Sequence, residues 1–295
     1  QIWISGFCAE IFAIFDNFQR GTKENIKAAM DDPRTTCFEG EADLLDVGAT
    51  HSACNGIDGV FHLGSLCLGH CQNNPRKGYD INVTGTFNVL EACVANNVKR
   101  VIYASSSSIY GNAVYKPMNE THPFMNQNFY GATKIAGEAI INAFYHKFGL
   151  DYLSFRFMNV YGPRQDYEGI YVAVIMKIID HINQGQPPII YGDGTQTRSL
   201  CFIDDLVEGI VKIAQINEKN TITNIGNDKE RTILDIAELI IRLSNSKSNL
   251  KFMDLPENDP LQRRPNLERI NQLIYWKNLT SAEDGIKKTI KYFQK

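Results

Sequence analysis

Hydrophobic residues along the first half of the chain alternate between short continuous runs and runs with a helical period. Short apolar runs typical of strands occupy residues 1–5, 9–15, 58–65, 99–106 and 151–160. Between two of these runs, one helical face of residues 80–97 carries Val83, Phe87, Leu90 and Val94. Strands that alternate with helices predict βαβ units, and therefore an α/β fold with a doubly wound parallel sheet.

The longest helical pattern covers residues 128–149 and ends at Gly149, a residue type common at helix ends. The second half of the chain is more mixed, with turn residues and a helix in 187–214, another helix at 232–244 and a short helix in the polar tail. We therefore predict a smaller second domain that closes over the sheet edge. The predicted boundaries are 1–156 plus about 199–216 for the first domain and about 157–198 plus 217–295 for the second.

Composition narrows the class of protein. Of 295 residues, 43% are hydrophobic and 21% are charged, which is typical of a soluble globular protein. A net charge of −3 without a basic block argues against nucleic acid as a partner. We expect no membrane span, because no apolar run approaches the roughly 20 residues that a membrane helix needs. We also expect no secretory leader. Seven irregularly spaced cysteines indicate a reducing, cytoplasmic location.

One cysteine-containing segment raises the question of a metal. Cys67, His70 and Cys71 lie close together in the sequence, and His62 is nearby. The segment lacks the paired Cys-x-x-Cys spacing of zinc sites. We therefore expect buried or loop residues here and no metal.

Four consecutive serines, Ser105–Ser108, stand at the end of the apolar run at 99–106. Buried hydroxyl groups need hydrogen-bond partners. Ligands of parallel sheets bind beyond the carboxyl ends of the strands, so the serines lie where a ligand is expected. The alternative interpretation is a serine-rich turn that ends the strand.

Tyr130 and Lys134 are four residues apart and share a face of the predicted helix. A free phenol has a pKa near 10, that is, about three units too high for a base at neutral pH. A nearby ammonium would favour the phenolate. Tyr130 is therefore a candidate general base. The spacing alone also arises by chance in helices, and the preceding serine run makes the combination more specific.

Eight blocks resemble the extended short-chain dehydrogenase/reductase family, in its nucleotide-sugar epimerase/dehydratase branch. They are DNFQRG (16–21), VFHLGS (60–65), NVTGTFNVLEA (82–92), SSSSIYG (105–111), YGATK (130–134), RFMNVYGPRQ (156–165), YGDGTQTRSLCFIDDLVEG (191–209) and DPLQRRPN (259–266). The resemblance covers nearly the whole chain. It implies a Rossmann-like NAD-binding first domain and a smaller mixed α/β domain that binds a nucleotide sugar.

The resemblance implies catalytic roles for Ser106, Tyr130 and Lys134, because Ser106 lies four residues before Tyr110, where the family has its catalytic hydroxyl. It also implies that Ser107 and Ser108 bind sugar hydroxyls. Decarboxylases and 4,6-dehydratases of the family have a glutamate at the position of Ser108. The serine block therefore resembles the 4-epimerases, and it implies NAD-dependent 4-epimerisation of a UDP-hexose such as UDP-glucose or UDP-N-acetylglucosamine.

An acidic residue after the second apolar run is a candidate for binding the cofactor. Asp16 is placed to hold the adenosine ribose hydroxyls and to favour NAD over NADP. A turn or cap residue is the alternative interpretation. The resemblance implies further cofactor contacts at Gly6, Asn17, Glu41, Leu63, Asn82, Tyr130 and Lys134.

The sequence departs from the family between Gly6 and Phe7, where the glycine-rich phosphate-binding turn and its helix are absent. A parallel crossover needs about a dozen residues, so these two residues cannot be joined directly in such a unit. We expect the intact polypeptide to contain roughly 15–20 further residues there. The alternative is a non-catalytic nucleotide-sugar-binding protein that retains Asn159 and Arg198.

The resemblance implies that Asn159 and Arg198 bind the sugar diphosphate, with Arg263 or Arg264 as a further contact, because a guanidinium suits phosphate. Surface charges are the alternative interpretation. Arginines in the last block resemble the decarboxylase and dehydratase branch, which keeps UDP-glucuronate decarboxylation and 4,6-dehydration open. In this family the helices equivalent to 80–97 and 128–149 form a two-fold four-helix interface, so we expect a homodimer.

Overall fold

The computed structural model describes residues 11–38, 42–166, 174–255 and 263–294. Gly6, Glu41 and the junction between Gly6 and Phe7 lie outside the described residues.

The first half of the chain forms β1 (Phe12–Phe15), α1 (Lys23–Met30), β2 (Thr35–Phe38), α2 (Val47–Cys54), β3 (Gly59–His62), α3 (Leu68–Asn73), α4 (Pro75–Tyr79), a π-helical turn (Asp80–Thr84), α5 (Gly85–Ala95), β4 (Arg100–Ser106), a 3-10 turn (Ser107–Tyr110), α6 (Phe129–Phe148) and β5 (Asp151–Phe157).

The second half has shorter strands and amphipathic helices. Its elements are β6 (Val160–Tyr161), α7 (Val174–Asn183), β7 (Ile189–Tyr191), β8 (Thr197–Ser199), β9 (Cys201–Phe202), α8 (Ile203–Ala214), β10 (Thr221–Ile225), β11 (Glu230–Thr232), α9 (Ile233–Leu243), β12 (Lys251–Met253), α10 (Glu268–Ile274) and α11 (Ala282–Phe293).

The predicted α/β fold with a parallel sheet is confirmed. The strands β10, β5, β4 and β3 form a sheet in that order, and β3 pairs with β4 in parallel. The strands β1 and β2 also pair in parallel, with Phe12 opposite Thr35. Residues 101–106 of β4 are all buried, as expected for a strand covered on both faces.

The helix α6 confirms the longest predicted helix and holds two of the predicted catalytic residues. Its N-terminus is capped by Asn128, whose side chain accepts a hydrogen bond from the backbone N–H of Gly131. Its C-terminal cap is Gly149, with φ of +73°, a left-handed conformation that glycine adopts without strain. Both ends of α6 therefore agree with the bounds that the sequence pattern predicts.

The chain divides into two compact units by contact. Unit 1 comprises Gln1–Ile109, Asn126–Arg156 and Ala214–Thr223, and unit 2 comprises Tyr110–Met125, Phe157–Ile213 and Asn224–Lys295. Unit 1 has a core that includes Leu90, Val101, Tyr103 and Ile141. Unit 2 has a separate core that includes Ile175, Phe202, Ile236 and Ile286.

These units differ from the predicted domains in three segments. Residues 217–223 belong to unit 1, whereas the sequence pattern assigned them to the second domain. Residues 199–213 pack into unit 2, whereas the sequence pattern assigned them to the first domain, because Leu200 and Phe202 lie in the unit 2 core. Residues 110–125 also belong to unit 2, where the hydroxyl of Tyr110 donates to Asn224 Oδ1 at 2.6 Å. The cofactor-binding and sugar-binding roles of the two units stay predictions.

Membrane-spanning helices and metal-binding clusters were both expected to be absent. In the part of the chain that the structure describes, no helix combines the length and apolarity needed to cross a bilayer. Across those same residues, no group of three or more metal-ligating side chains is close enough to hold an ion, although Cys67 Sγ lies 3.0 Å from His70 Nδ1.

Candidate active site

The four serines at the end of β4 divide into two kinds. Ser105 Oγ donates to Glu138 Oε1 at 2.5 Å, so this serine is bound to the interior of unit 1. Ser106 Oγ instead accepts the backbone N–H of Ser108 at 3.1 Å, within the turn that ends the strand. Ser106, Ser107 and Ser108 are all buried. The hydroxyl predicted as catalytic is therefore held by its own turn at the carboxyl end of the strand.

A glycine allows the serine turn and the first turn of α6 to lie against each other. A side-chain carbon added to Gly131 would stand 2.8 Å from the carbonyl oxygen of Ser108, closer than such atoms approach. The close approach places the preceding residue, Tyr130, next to Ser106, whose hydroxyl acts to lower the pKa of the Tyr130 phenol. The structure therefore brings together the predicted serine and tyrosine, although 24 residues of sequence, from 106 to 130, separate them.

The phenol of Tyr130 is not ionised by its protein surroundings alone. Loss of hydration raises the pKa of Tyr130 to about 12, although the side chain stays partly accessible. The hydrogen bond with Ser106 and the charge of Arg20 act in the opposite direction. A further positive charge next to the phenol is needed before it can act as a base near neutral pH.

Lys134 lies one helical turn after Tyr130 and is buried, with its Nζ donating to Ala104 O at 2.7 Å. The ammonium stands 5.7 Å from the centroid of the Tyr130 ring and 5.1 Å from that of Tyr103. Burial lowers the pKa of Lys134 to about 8, while Cys71 and Glu138 raise it. An ammonium has three protons, so two remain for a ligand once Ala104 O is satisfied.

Asn82 lies in the π-helical turn and connects two segments of unit 1. Its Oδ1 accepts the backbone N–H of Leu66 at 2.7 Å, and its Nδ2 donates to Leu66 O at 3.1 Å and to Thr133 Oγ1 at 3.0 Å. Thr133 in turn donates to the carbonyl of Tyr130 at 2.8 Å. Asn82 therefore fixes the loop after β3 relative to the first turn of α6, and its predicted cofactor contact stays a prediction.

The remaining described cofactor candidates lie at the ends of strands. Asp16 directly follows β1, and its Oδ1 accepts the backbone N–H of Phe18 at 2.8 Å, which makes a tight turn there. Asn17 is exposed and accepts the backbone N–H of Gln19 at 3.2 Å. Leu63 directly follows β3 and is partly exposed.

The predicted diphosphate residues all lie in unit 2. Asn159 has a φ of +42°, and its Nδ2 donates to Ser199 O at 3.2 Å. Arg198 lies in β8 and donates to Thr197 O at 2.9 Å. The backbone carbonyl of Arg264 accepts the N–H of Met118 at 2.9 Å, and Arg263 is partly buried. Their proposed ligand contacts stay predictions.

Sequence reasoning gave two buried groups next to the predicted residues no role at this site. Glu138 pairs with Arg156 inside unit 1, with Nη2 and Oε2 2.7 Å apart. His62 ends β3, and its Nε2 lies 2.9 Å from Thr86 Oγ1, which itself donates to Asn82 O. Burial first, and then the charge of Lys134, lower the pKa of His62 to about 3, so the imidazole is neutral. Glu138 was detectable only as the residue one turn after Lys134.

The described residues fit the two ribose ends of a nicotinamide dinucleotide. Asp16 supplies a carboxylate at the end of a parallel strand, which suits a ribose diol. Lys134 supplies an ammonium with two further protons, next to the phenol of Tyr130. The glycine-rich turn that would receive the pyrophosphate is absent from the sequence after Gly6, and Gly6 lies outside the described residues.

Comparison with known proteins agrees with this geometry. The NAD dependent epimerase/dehydratase family model matches residues 15–226. The chain is 29% identical over 286 residues to a putative UDP-glucose 4-epimerase of Methanocaldococcus jannaschii, a match that covers 95% of this chain and 90% of that protein. It is 30% identical over 289 residues to UDP-glucuronic acid decarboxylase 1 of Danio rerio, covering 96% of this chain and 66% of the decarboxylase.

Solved structures of nucleotide-sugar epimerases are also similar to this chain. The UDP-N-acetylglucosamine 4-epimerase from Methanobrevibacter ruminantium M1, solved with UDP-N-acetylmuramic acid, has a TM-score of 0.90 and 29% identity, covering 95% of this chain and 89% of that one. The UDP-glucuronic acid 4-epimerase from Bacillus cereus, solved with UDP-glucuronic acid and NAD, has a TM-score of 0.83 and 25% identity, covering 91% and 84%.

Proposed function

Because the chain belongs to the NAD dependent epimerase/dehydratase family, we propose that it catalyses reversible 4-epimerisation of a UDP-hexose through a 4-keto intermediate. Family membership identifies it as an enzyme that uses NAD. The observation that carries the proposal is the position of Tyr130 next to Ser106 and beside buried Lys134, whose Nζ lies 5.7 Å from the Tyr130 ring centroid. Similarity to the Methanocaldococcus and Methanobrevibacter epimerases over 95% of the chain supports the assignment.

Tyr130 is the proposed general base. It takes the proton of the sugar 4-hydroxyl, while Ser106 donates a hydrogen bond to the same oxygen. When bound, NAD⁺ accepts the C4 hydride and returns it to the opposite face of the ketone. The positive charge of a bound oxidised nicotinamide would lower the pKa of the Tyr130 phenol, which the protein alone holds at about 12.

Lys134 has two proposed tasks. The protons that it does not donate to Ala104 O bind the hydroxyls of the nicotinamide ribose. Its charge, next to the Tyr130 ring, favours the phenolate. As the ketone is reduced again, the protonated Tyr130 returns its proton to O4, and the site ends in its starting state.

The sugar and the diphosphate are assigned to different groups. Ser107 and Ser108 bind sugar hydroxyls at the end of β4, and Asn159 and Arg198 bind the diphosphate, with Arg263 or Arg264 as a further cation. The support is the resemblance of their sequence blocks to the family, together with the suitability of a guanidinium for phosphate oxygens. The identity of the sugar is left open within the class of UDP-hexoses.

Decarboxylation of UDP-glucuronate is the second candidate, favoured by the similarity to the Danio rerio decarboxylase and by the arginines near the end of the chain. It also begins with proton and hydride removal at C4, so Ser106, Tyr130 and Lys134 would serve both reactions. The residue at position 108 distinguishes the two reactions, because the family's decarboxylases and dehydratases have a glutamate where this chain has Ser108. We therefore place epimerisation first.

A substrate panel tests the proposal. Purified full-length protein with NAD is incubated separately with UDP-glucose, UDP-N-acetylglucosamine and UDP-glucuronate, and the products are resolved by chromatography and NMR. We expect the C4 epimer of at least one substrate. Release of carbon dioxide or loss of water would instead establish decarboxylation or dehydration.

The intact mass of the same protein tests the junction between Gly6 and Phe7. We expect a mass greater than that of the printed sequence by about twenty residues, as a phosphate-binding crossover requires. A mass equal to that of the printed sequence, together with no binding of NAD, would favour the non-catalytic binding protein.

We also propose that two copies assemble through α5 and α6. The support is an exposed apolar surface on these helices, which a monomer rarely leaves uncovered. It comprises Phe87, Phe129, Ala132, Ala136, Ala139 and Ala143, all exposed or partly exposed. Small residues allow close helix packing across a two-fold axis. A cytoplasmic location stays a prediction based on the cysteine content.

A further inference from the structure

A buried ion pair lies directly behind the serine turn of unit 1. Glu138 is 4% exposed and Arg156 is 2% exposed. Arg156 Nε donates to Glu138 Oε1 at 2.9 Å, and Nη2 donates to Oε2 at 2.7 Å. The same Oε1 also accepts the Ser105 hydroxyl at 2.5 Å. The carboxylate therefore joins three elements, with contributions from α6, β5 and the end of β4.

The pair is placed where it can control the geometry of the proposed catalytic groups. Ser105 immediately precedes Ser106 in β4, and Glu138 follows Lys134 by one turn of α6. Lys134 itself donates to Ala104 O at 2.7 Å. The helix is thus bonded to two successive residues at the end of β4, which fixes its rotation and its position along the strand.

Stability alone does not account for an ion pair at this position. Removing two charges from water costs free energy, and apolar residues of similar volume often replace buried pairs with no loss of stability. What the pair supplies, and apolar side chains do not, is a set of directional bonds between the elements that hold Ser106 and Tyr130.

We propose that Glu138 and Arg156 are positioning residues for the reaction, which orient α6 on the end of β4 so that Ser106, Tyr130 and Lys134 keep their common geometry. The inference rests on the proposed function for its kinetic consequence. Neither residue is assigned a contact with substrate or cofactor.

The pair has an electrostatic consequence as well. The groups that face Lys134 are Glu138 and Tyr130 on its own helix, Cys71 on α3, His62 on β3 and Tyr103 on β4. Of these, Glu138 is the carboxylate, and it raises the pKa of Lys134 against the effect of burial. Without it, Lys134 loses its proton at lower pH, and the support that its charge gives to the Tyr130 phenolate is lost.

The test replaces the pair by apolar residues, with an exposed pair as a matched control. The test variant is Glu138→Leu/Arg156→Met. The control is Glu283→Leu/Arg242→Met, which removes a pair on the surface of unit 2 with Nη2 and Oε2 3.2 Å apart. Thermal unfolding, NAD affinity, kcat and its pH profile are measured for both variants and for the wild type.

We expect the test variant to fold and to bind NAD within about threefold of wild type. Its kcat should fall by about tenfold to a hundredfold, and the alkaline limb of the pH profile should move to lower pH. The control should change none of these. A folded test variant with wild-type kcat and pH profile would overturn the proposal.

Two further measurements do not need the double variant to fold: the kinetics of Ser105→Ala and a titration of the Tyr130 phenol. Ser105→Ala removes one bond and leaves the ion pair in place, and it should lower kcat by roughly threefold to tenfold. Spectroscopic titration of the Tyr130 phenol, with Tyr130→Phe as the blank, requires no turnover. The phenol should titrate at higher pH in the test variant and in Ser105→Ala, and unchanged titration in a folded variant would refute positioning whatever the reaction.

Discussion

At the scale of single residues, the site depends on a contrast between two ionisable groups one helical turn apart. Burial raises the pKa of the Tyr130 phenol to about 12 and lowers that of the Lys134 ammonium to about 8. Both shifts disfavour the charged forms that the proposed reaction uses. The Glu138 carboxylate opposes the shift of Lys134, and the positive charge of a bound nicotinamide would oppose that of Tyr130, so the proposed base strength depends on the bound state.

Replacing Tyr130 by Phe tests the role of the phenol. We expect kcat to fall by about a hundredfold or more, because proton removal from the 4-hydroxyl loses its base, while NAD binding stays close to wild type. Tyr275, 88% exposed in unit 2, provides the matched control, and Tyr275→Phe should retain wild-type kcat. Wild-type turnover in Tyr130→Phe would exclude the phenol as the base.

His62 provides a prediction about stability. Its pKa is lowered from 6.5 to about 3 in the folded state, so the unfolded chain binds the proton more readily. Stability from this residue is therefore full above pH 6.5 and is lost as pH falls toward 3. Between pH 6.5 and pH 5 the loss should be about 2 kcal/mol. Urea unfolding of wild type and His62→Gln at pH 7 and pH 5 measures it, and equal pH dependence in the two proteins would contradict the assignment.

The sequence identified Ser106, Tyr130 and Lys134 as a group, and the structure brings them together. It did not identify the Glu138–Arg156 pair, because these residues lie on different elements and neither belongs to a short motif with Tyr130. The contact follows from the packing of α6 on β5, which no local pattern encodes. The catalytic roles of all these residues stay predictions.

At the scale of elements, the site is made by the approach of the first turn of α6 to the turn after β4. Gly131 permits that approach, since a side-chain carbon there would also stand 3.0 Å from Asn126 Cβ. The helix gains nothing from glycine in its first turn, because alanine is the better helix former by about 1 kcal/mol. The glycine is therefore explained by the contact with Ser108.

Substituting Gly131 by Ala should displace this turn. We expect kcat to fall by about tenfold or more as Tyr130 moves away from Ser106, together with a loss of thermal stability. Gly48 in α2 is the matched control, because its added carbon would meet only Asp46 Oδ1 at 3.4 Å. Gly48→Ala should keep wild-type kcat. Equal kcat in Gly131→Ala and wild type would show that the close approach has no catalytic importance.

The strands and helices with strong patterns were predictable, and those with weak patterns were not. The pattern at 128–149 predicted α6, and the apolar run at 99–106 predicted β4. The helix α11 was not predicted, because charged residues are interspersed among its few buried positions. The π-helical turn at Asp80–Thr84 also has no local signal, because its apolar residues continue the period of α5.

At the scale of the whole molecule, the proposed homodimer gives the exposed alanines of α6 a role. Ala139→Arg places a long charged side chain on that surface, and it should convert the dimer to a monomer in sedimentation at micromolar concentration. Ala28→Arg, on the exposed face of α1, is the matched control and should remain dimeric. A monomeric wild-type protein under these conditions would contradict the proposed assembly.

The central claim is that hydride leaves and returns at C4 while C5 keeps its proton, and isotope tracing tests it most directly. The UDP-hexose that the substrate panel identifies is labelled with deuterium at C4 and converted in ordinary water, and unlabelled substrate is converted in D₂O. We expect a C4 epimer that retains the C4 label and acquires no deuterium at C5 from the solvent. Solvent deuterium at C5, or migration of the label to C6 with loss of water, would contradict it.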